Sequence, residues 1–177
     1  GDAVQQQHQL HRLSVDAMCS FNWSFEQDLA LWKELGVRHA GLLISKLGDD
    51  PAARMAELTA AGIRCSTLIT ESFELREPGG WAATQAAHRR AIDLVAKEAG
   101  HSIYFTPGRT CCTSWADDLD RLADAVAPTV AYARENGVLA AIEPSIRTSV
   151  SFVTTLRDAI DKFKADLVKM EAQAKTT

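Results

Sequence analysis

The sequence predicts a parallel α/β fold made of five consecutive strand-then-helix units. Three observations carry this. Short apolar runs begin near residues 13, 37, 63, 102 and 138; each is followed by a stretch with helical apolar spacing; and Gly36, Gly62, Gly100 and Gly137 punctuate the helix ends. Near-continuous apolar strands, each reached through a helix, suit a parallel sheet covered on both faces and disfavour hairpins.

The first strand is Leu13 to Met18, and Ser24 and Gln27 then have the spacing of a capping box that satisfies the free N–H groups of a helix's first turn. In the helix that follows, Phe25, Leu29, Trp32 and Leu35 share one face, and Gly36 supplies the left-handed residue that ends it. The second strand is Val37 to Ile44. Pro51 opens the next helix, Gly62 closes it, and Ile63 to Ile69 is the third strand. A helix from about Trp81 to Ala99 leads through Gly100 to the strand Ser102 to Thr106. The fourth helix starts near Ser114, with Asp117 at its positive end, and should bend at Pro128; it stops at Asn136 and Gly137 before the strand Val138 to Glu143. After a loop from Pro144 to Ser151, a last helix is expected to align Val153, Leu156, Ile160, Phe163, Leu167, Met170 and Ala174 in a heptad-like seam. That seam suits either an ordinary outer helix or a pairing surface.

Strand starts are about 31 residues apart, so eight units would need about 250 residues, the length of a (β/α)₈ barrel; 177 residues hold about five. Length alone favours the alternative of a flavodoxin-like, doubly wound sheet with five strands in shuffled order. The expected organisation is a loose, Gln-rich segment at 1–11, a β/α domain at 12–161, and a helical extension at 162–177.

Composition narrows the function. With 46% hydrophobic and 24% charged residues the chain reads as globular, and a net charge of −4 offers no general attraction to nucleic acid. The apolar runs are far too short for a membrane span, and residues 1–11 lack the pattern of a secretory signal. Cys19, Cys65, Cys111 and Cys112 have no C-x-x-C spacing and read as reduced thiols of a cytoplasmic protein. A redox switch or soft-metal site at Cys111 and Cys112 is the sharper reading of that pair, and two loop cysteines the plainer one. No Gly-rich phosphate loop or G-x-S-x-G elbow is present.

The chemistry groups around Glu143. A carboxylate after five apolar residues sits at the carboxyl end of a strand, where parallel α/β folds carry their sites. Strand ends should also bring Asp16, Cys19, Ser45, Lys46, Thr70, Glu71, Thr106 and Arg109 to that mouth, most of them as solvated loop residues. Glu71 could supply a second carboxylate, and Arg109 and Arg147 could hold a substrate carboxylate or phosphate through forked hydrogen bonds. Arg109 and Arg147 could equally pair with Glu143. His39, His88 and His101 fall at element starts and surfaces without ligand spacing.

Several segments carry a resemblance: LSVDAMCSFNWSFEQDLALWKELGVRHAGLL, AAGIRCSTLIT, and VAYARENGVLAAIEPS followed by SFVTTLRDAID. Together, over residues 12–161, they resemble the amino-terminal part of the xylose isomerase-like TIM barrels, the sugar phosphate isomerase/epimerase group. The most specific element is the helix end YARENG, a short apolar strand, and Glu143-Pro144. The resemblance implies that Glu143 binds a divalent metal (Mn, Co, Mg or Zn), with further ligands from strands six to eight, and that the substrate is a small sugar or polyol. After Asp161, where that family enters its sixth strand, the sequence KFKADLVKMEAQAKTT is charged and helical instead. The related endonuclease IV-like enzymes have histidine ligands at the third and fourth strand ends, where this chain reads Thr70-Glu71 and Thr106-Pro107. Two functions follow: a metal-dependent isomerase/epimerase-like protein present as a partial barrel, or a non-catalytic partial barrel that covers its open edges as a homo-oligomer or with a complementing subunit.

Overall fold

The computed structural model describes residues 13–98, 100–155, 157 and 160. The expectations for residues 1–11 and 162–177, and for Leu156, Phe163, Leu167, Met170 and Ala174 of the seam, lie outside them. The elements are β1 (Ser14–Asp16), α1 (Phe25–Leu35), β2 (His39–Leu43), α2 (Pro51–Ala60), β3 (Arg64–Ile69), α3 (Trp81–Lys97), β4 (Ser102–Phe105), α4 (Trp115–Glu135) and β5 (Leu139–Ile142). No helix among the described residues is long and apolar enough to cross a membrane.

Local chemistry sets these boundaries. Ser24 and Gln27 form the capping box of α1, and Asp50 caps α2 ahead of Pro51. Gly36, Gly62 and Gly137 all adopt positive φ, so three of the helix-to-strand turns use one device. β1 is shorter than the sequence suggests because the Asp16 side chain accepts the Met18 N–H and turns the chain into a 3₁₀ turn, Ala17–Ser20. α4 runs through Pro128 without interruption.

The sheet is parallel throughout, in the order β1-β2-β3-β4-β5. The flavodoxin-like alternative is thereby overturned, because that topology places its first strand inside the sheet and here every crossover joins neighbours. The sheet is not closed: β1 and β5 are its outer strands among the described residues.

One face of the sheet makes the core. Ala40, Leu42, Leu68, Ile103 and Phe105 are fully buried beneath Trp32, Leu58, Ile92 and Leu122 of the helices. The other face is concave and mostly polar, carrying Ser14, Asp16, Thr67, Ser102 and Tyr104 together with Leu43 and Ile69. The expectation of strands buried on both faces fails there, and Leu139 is 64% exposed. A bulge shapes this face: Ala40 aligns with Cys65 but Gly41 with Thr67, leaving Ser66 as the extra residue. The Ser66 hydroxyl donates to the Ala40 carbonyl and meets the Ser14 hydroxyl at 2.6 Å.

Two further expectations need correction. Val153 does not sit on a helix: Ser151 forms a parallel bridge with Gly108, and Ser151 and Val153 are buried. The hydrogen bonds from Gly108 N–H to Val150 O and from Phe152 N–H to Gly108 O hold the segment in extended form. His88 is not at the surface but wholly buried in α3, edge-on to Phe73 and tilted against Phe105. It shares a helix face with Ala91, Ile92 and Val95, which is why it goes inside.

Nε2 of His88 lies 2.7 Å from the Glu71 carbonyl and Nδ1 lies 3.1 Å from the Thr129 hydroxyl. Burial lowers its pKa, although the Glu71 carbonyl opposes this. A folded-state value below the ordinary one means that the unfolded chain takes up the proton first. The stabilisation is therefore present above about pH 6.5 and is lost as pH falls through the lowered value, by at most about 1.4 kcal/mol per pH unit. Urea unfolding between pH 7 and pH 5 should show this slope, and His88→Phe should make it shallower; an unchanged slope would contradict the assignment.

Candidate functional site

The strand tips at the carboxyl end of the concave face bring Asp16, Tyr104 and Glu143 together. Asp16 ends β1 in register with Gly41 of β2, and Gly41 is in register with Thr67 of β3. A Cβ built on Gly41 would lie 2.6 Å from Asp16 Oδ2 and 3.1 Å from Thr67 Cγ2. Glycine is thus required for steric reasons: only a bare Cα lets the carboxylate lie across β2. Asp16 Oδ2 then accepts the Tyr104 hydroxyl at 3.0 Å, from a strand three places away.

Glu143 follows β5, and its N–H donates to the Phe105 carbonyl at 3.0 Å, so the ladder fixes its backbone. Its side chain is exposed, yet the strand tips crowd the carboxyl enough that burial raises its pKa, with the Asp16 carboxylate adding to the shift. Among the described residues no hydrogen bond or ion pair engages that carboxylate. The Tyr104 phenol is pushed far above its ordinary value by burial first, then by Asp16, with Glu143 and Cys19 contributing. The register of β4 and β5 sets Glu143 on the face of Tyr104, whose hydroxyl meets Asp16.

A buried ion pair holds the turn after Asp16. Lys46 Nζ donates to Asp28 Oδ2 at 2.7 Å, to the Ser20 carbonyl at 2.7 Å and to the Ala17 carbonyl at 3.2 Å. The Ser20 hydroxyl donates to the other Asp28 oxygen. Both charged side chains are nearly inaccessible, and all three ammonium protons have acceptors, the condition under which a buried pair is tolerated. Lys46 is therefore not a solvated loop residue. The signal for its partner lay in the helix periodicity, since Asp28 falls on the face of Phe25 and Trp32.

The other sequence-derived candidates are dispersed. Arg109 is exposed and paired with Glu74 through Nε at 2.9 Å and a terminal nitrogen at 2.8 Å, so it does not pair with Glu143. Arg147 is exposed, and its backbone rather than its guanidinium holds the loop, accepting the N–H groups of Val150 and Ser151. The Glu71 side chain is exposed, while its carbonyl is bound by His88. Thr70 is buried and donates its N–H to the Tyr104 carbonyl. Tyr104 was missed by sequence reasoning, although its alternation with Ser102 marks both as residues of the concave face.

Solved structures share the fold. A xylose isomerase domain protein from Alicyclobacillus acidocaldarius matches with a TM-score of 0.66 at 15% identity, over 86% of this chain and 58% of that one. The chain has the xylose isomerase-like TIM-barrel fold, as a partial barrel. The IolI protein with a bound zinc atom superposes on this partial barrel with a TM-score of 0.69 at 16% identity, over 84% of this chain and 56% of that one. D-psicose 3-epimerase from Clostridium cellulolyticum H10, solved with D-tagatose, gives a TM-score of 0.64 at 16% identity, over 85% and 58%. The partial barrel thus spans little more than half the length of these structures. No family model and no curated protein matches the sequence.

Replacing Gly41 by Ala should displace Asp16 and cost about 1–3 kcal/mol, as overpacking does. Urea unfolding measures the loss. Ultraviolet titration of Tyr104 should show its phenol moving back toward the ordinary range; an unperturbed stability and phenol would contradict the steric role of Gly41.

Proposed function

We propose that the mouth of this partial barrel is the first part of a divalent-metal site of the sugar or polyol isomerase/epimerase type, with Glu143 as its metal-holding carboxylate. The observation that carries the reading is that Glu143, without a described partner, follows β5 on the face of Tyr104, two residues past the Ala141 that is in register with it, and the Tyr104 hydroxyl meets Asp16. The donor chemistry fits: carboxylate oxygens are hard ligands, and a cation would relieve the mutual repulsion of the two groups. Two carboxylates are fewer donors than such an ion takes, so the remaining positions fall to substrate oxygens, water or a further β/α segment. A bound divalent cation supplies Lewis-acid polarisation of substrate oxygens.

The chain's own residues prepare the site. The Met18 N–H and the Tyr104 hydroxyl fix the orientation of Asp16, and the Lys46–Asp28 pair fixes the turn behind it. In this reading Asp16 is the carboxylate that would move a proton beside a substrate carbonyl, a role that needs a positioned group within hydrogen-bond reach. In this reading Arg147 supplies an anion contact for a sugar phosphate, with Glu71 and the Glu74-paired Arg109 at the rim. The fold shared with a sugar epimerase and a zinc-binding protein is consistent with this class.

A second reading, a non-catalytic subunit that docks on a copy of itself or a complementing chain, is favoured by the exposure of Leu139 and Leu13 beside the outer strands β5 and β1. One experiment separates the two. Calorimetric titration of Mn²⁺ should show binding to the protein that Glu143→Ala weakens by about tenfold or more. Equal, negligible heat in both proteins would remove the metal reading and leave the docking one.

A further inference from the structure

We propose that Cys111, Cys112 and Asp118 form a second metal site, away from the strand tips, for a thiophilic d¹⁰ cation such as Zn²⁺. The site is built by Asp118, a nearly inaccessible carboxylate in the first turns of α4. Its Oδ1 accepts two successive backbone N–H groups, from Cys111 at 2.7 Å and Cys112 at 2.8 Å, and its Oδ2 accepts the Thr110 hydroxyl at 2.6 Å.

This folds the loop back on the carboxylate. Side chains of adjacent residues diverge in an extended chain, but here both cysteines turn to the same side, with their sulfurs 3.3 Å apart. Donor atoms of all three residues lie within 4.8 Å of one another. Two thiolates on one tetrahedral cation, each about 2.3 Å from it, stand about 3.8 Å apart. A spread of about half an ångström therefore suffices, within the reach of side-chain rotation.

The remaining coordination positions have space. Cys112 and Asp118 line a pocket of about 250 Å³ together with Thr113, Trp115, Ser151 and Phe152. Its far wall is the segment that Gly108 pins through the bridge to Ser151. A water molecule or small ligand in that pocket would complete the shell, as in zinc sites with an open position.

The chemistry balances without electron transfer. Two S–H bonds break, two sulfur–metal bonds form, and two protons pass to solvent. Soft sulfur donors favour such a cation over the hard ions that suit carboxylates best, so this site prefers a softer metal than the carboxylates around Glu143. The other two cysteines lack these features: Cys65 is buried with its thiol directed to the Thr67 carbonyl, and Cys19 is exposed.

Cadmium is the probe. The reduced full chain, titrated with Cd²⁺, should develop a thiolate-to-cadmium ultraviolet band that saturates at one equivalent and is reversed by a chelator. The band should persist in Cys19→Ser and in Glu143→Ala, which separates this site from the strand tips. In the Cys111→Ser/Cys112→Ser double variant, affinity should fall by about a hundredfold or more, since both soft donors are gone. One equivalent of Cd²⁺ should also protect Cys111 and Cys112 of the unaltered protein from alkylation, read by peptide mass. Absence of a band at one equivalent, a band retained in the double variant, or alkylation of the pair at the unprotected rate would each overturn the proposal.

Discussion

The hydrogen bond from Tyr104 to Asp16 is the constraint on which the concave face depends. Strands three places apart in a flat sheet would be separated by about 14 Å, three intervals of about 4.8 Å. An aspartate and a tyrosine can meet at 3.0 Å across that interval only if the sheet curls into a trough. The Ser14–Ser66 contact, between strands two places apart, says the same of the shallower end. Gly41 makes the crossing sterically possible, and the bulge at Ser66 raises the local twist. The barrel-like curvature is thus written into side chains of the concave face, even though the ring of strands is open.

That face divides the labour of the fold. Stability comes from the other side, where the strands present Ala40, Leu42, Leu68, Ile103 and Phe105 to the helices in one continuous core. The concave side is left to hydroxyls and carboxylates that complete each other's hydrogen bonds. A closed barrel would fill this space with packed side chains; here it carries Ser14, Asp16 and Thr67 beside apolar Leu43 and Ile69, and it opens to solvent at Leu139 on β5. The Lys46–Asp28 pair joins the two sides, because it ties the turn that carries the Asp16 side chain to the face of α1 buried against the core.

The sequence made the five units legible because their punctuation is local: the Ser24–Gln27 capping box, Pro51 at a helix start, and glycines after helices all act within a few residues. Glu143 at the tip of β5 was legible for the same reason. What periodicity could not supply was contact between distant strands. Asp16 was placed at the mouth without a partner because Tyr104 is 88 positions away. Lys46 was grouped with the solvated strand-end residues because its partner, Asp28, lies 18 positions away on another element. His88 was misplaced because a polar residue on an apolar face has two outcomes, and only the acceptors at Glu71 and Thr129 decide between them. Val153 was drawn into a helix by its heptad spacing, whereas the bridge between Gly108 and Ser151 holds its neighbourhood extended.

The central claim is that Asp16 and Glu143 share one crowded compartment at the strand tips. Carbon-13 detected titration of the Glu143 carboxyl measures this directly. The claim requires a midpoint above the ordinary glutamate value near 4.3, brought down but not fully restored by Asp16→Asn, because burial is the larger cause of the shift. A midpoint at the ordinary value, indifferent to Asp16→Asn, would contradict it.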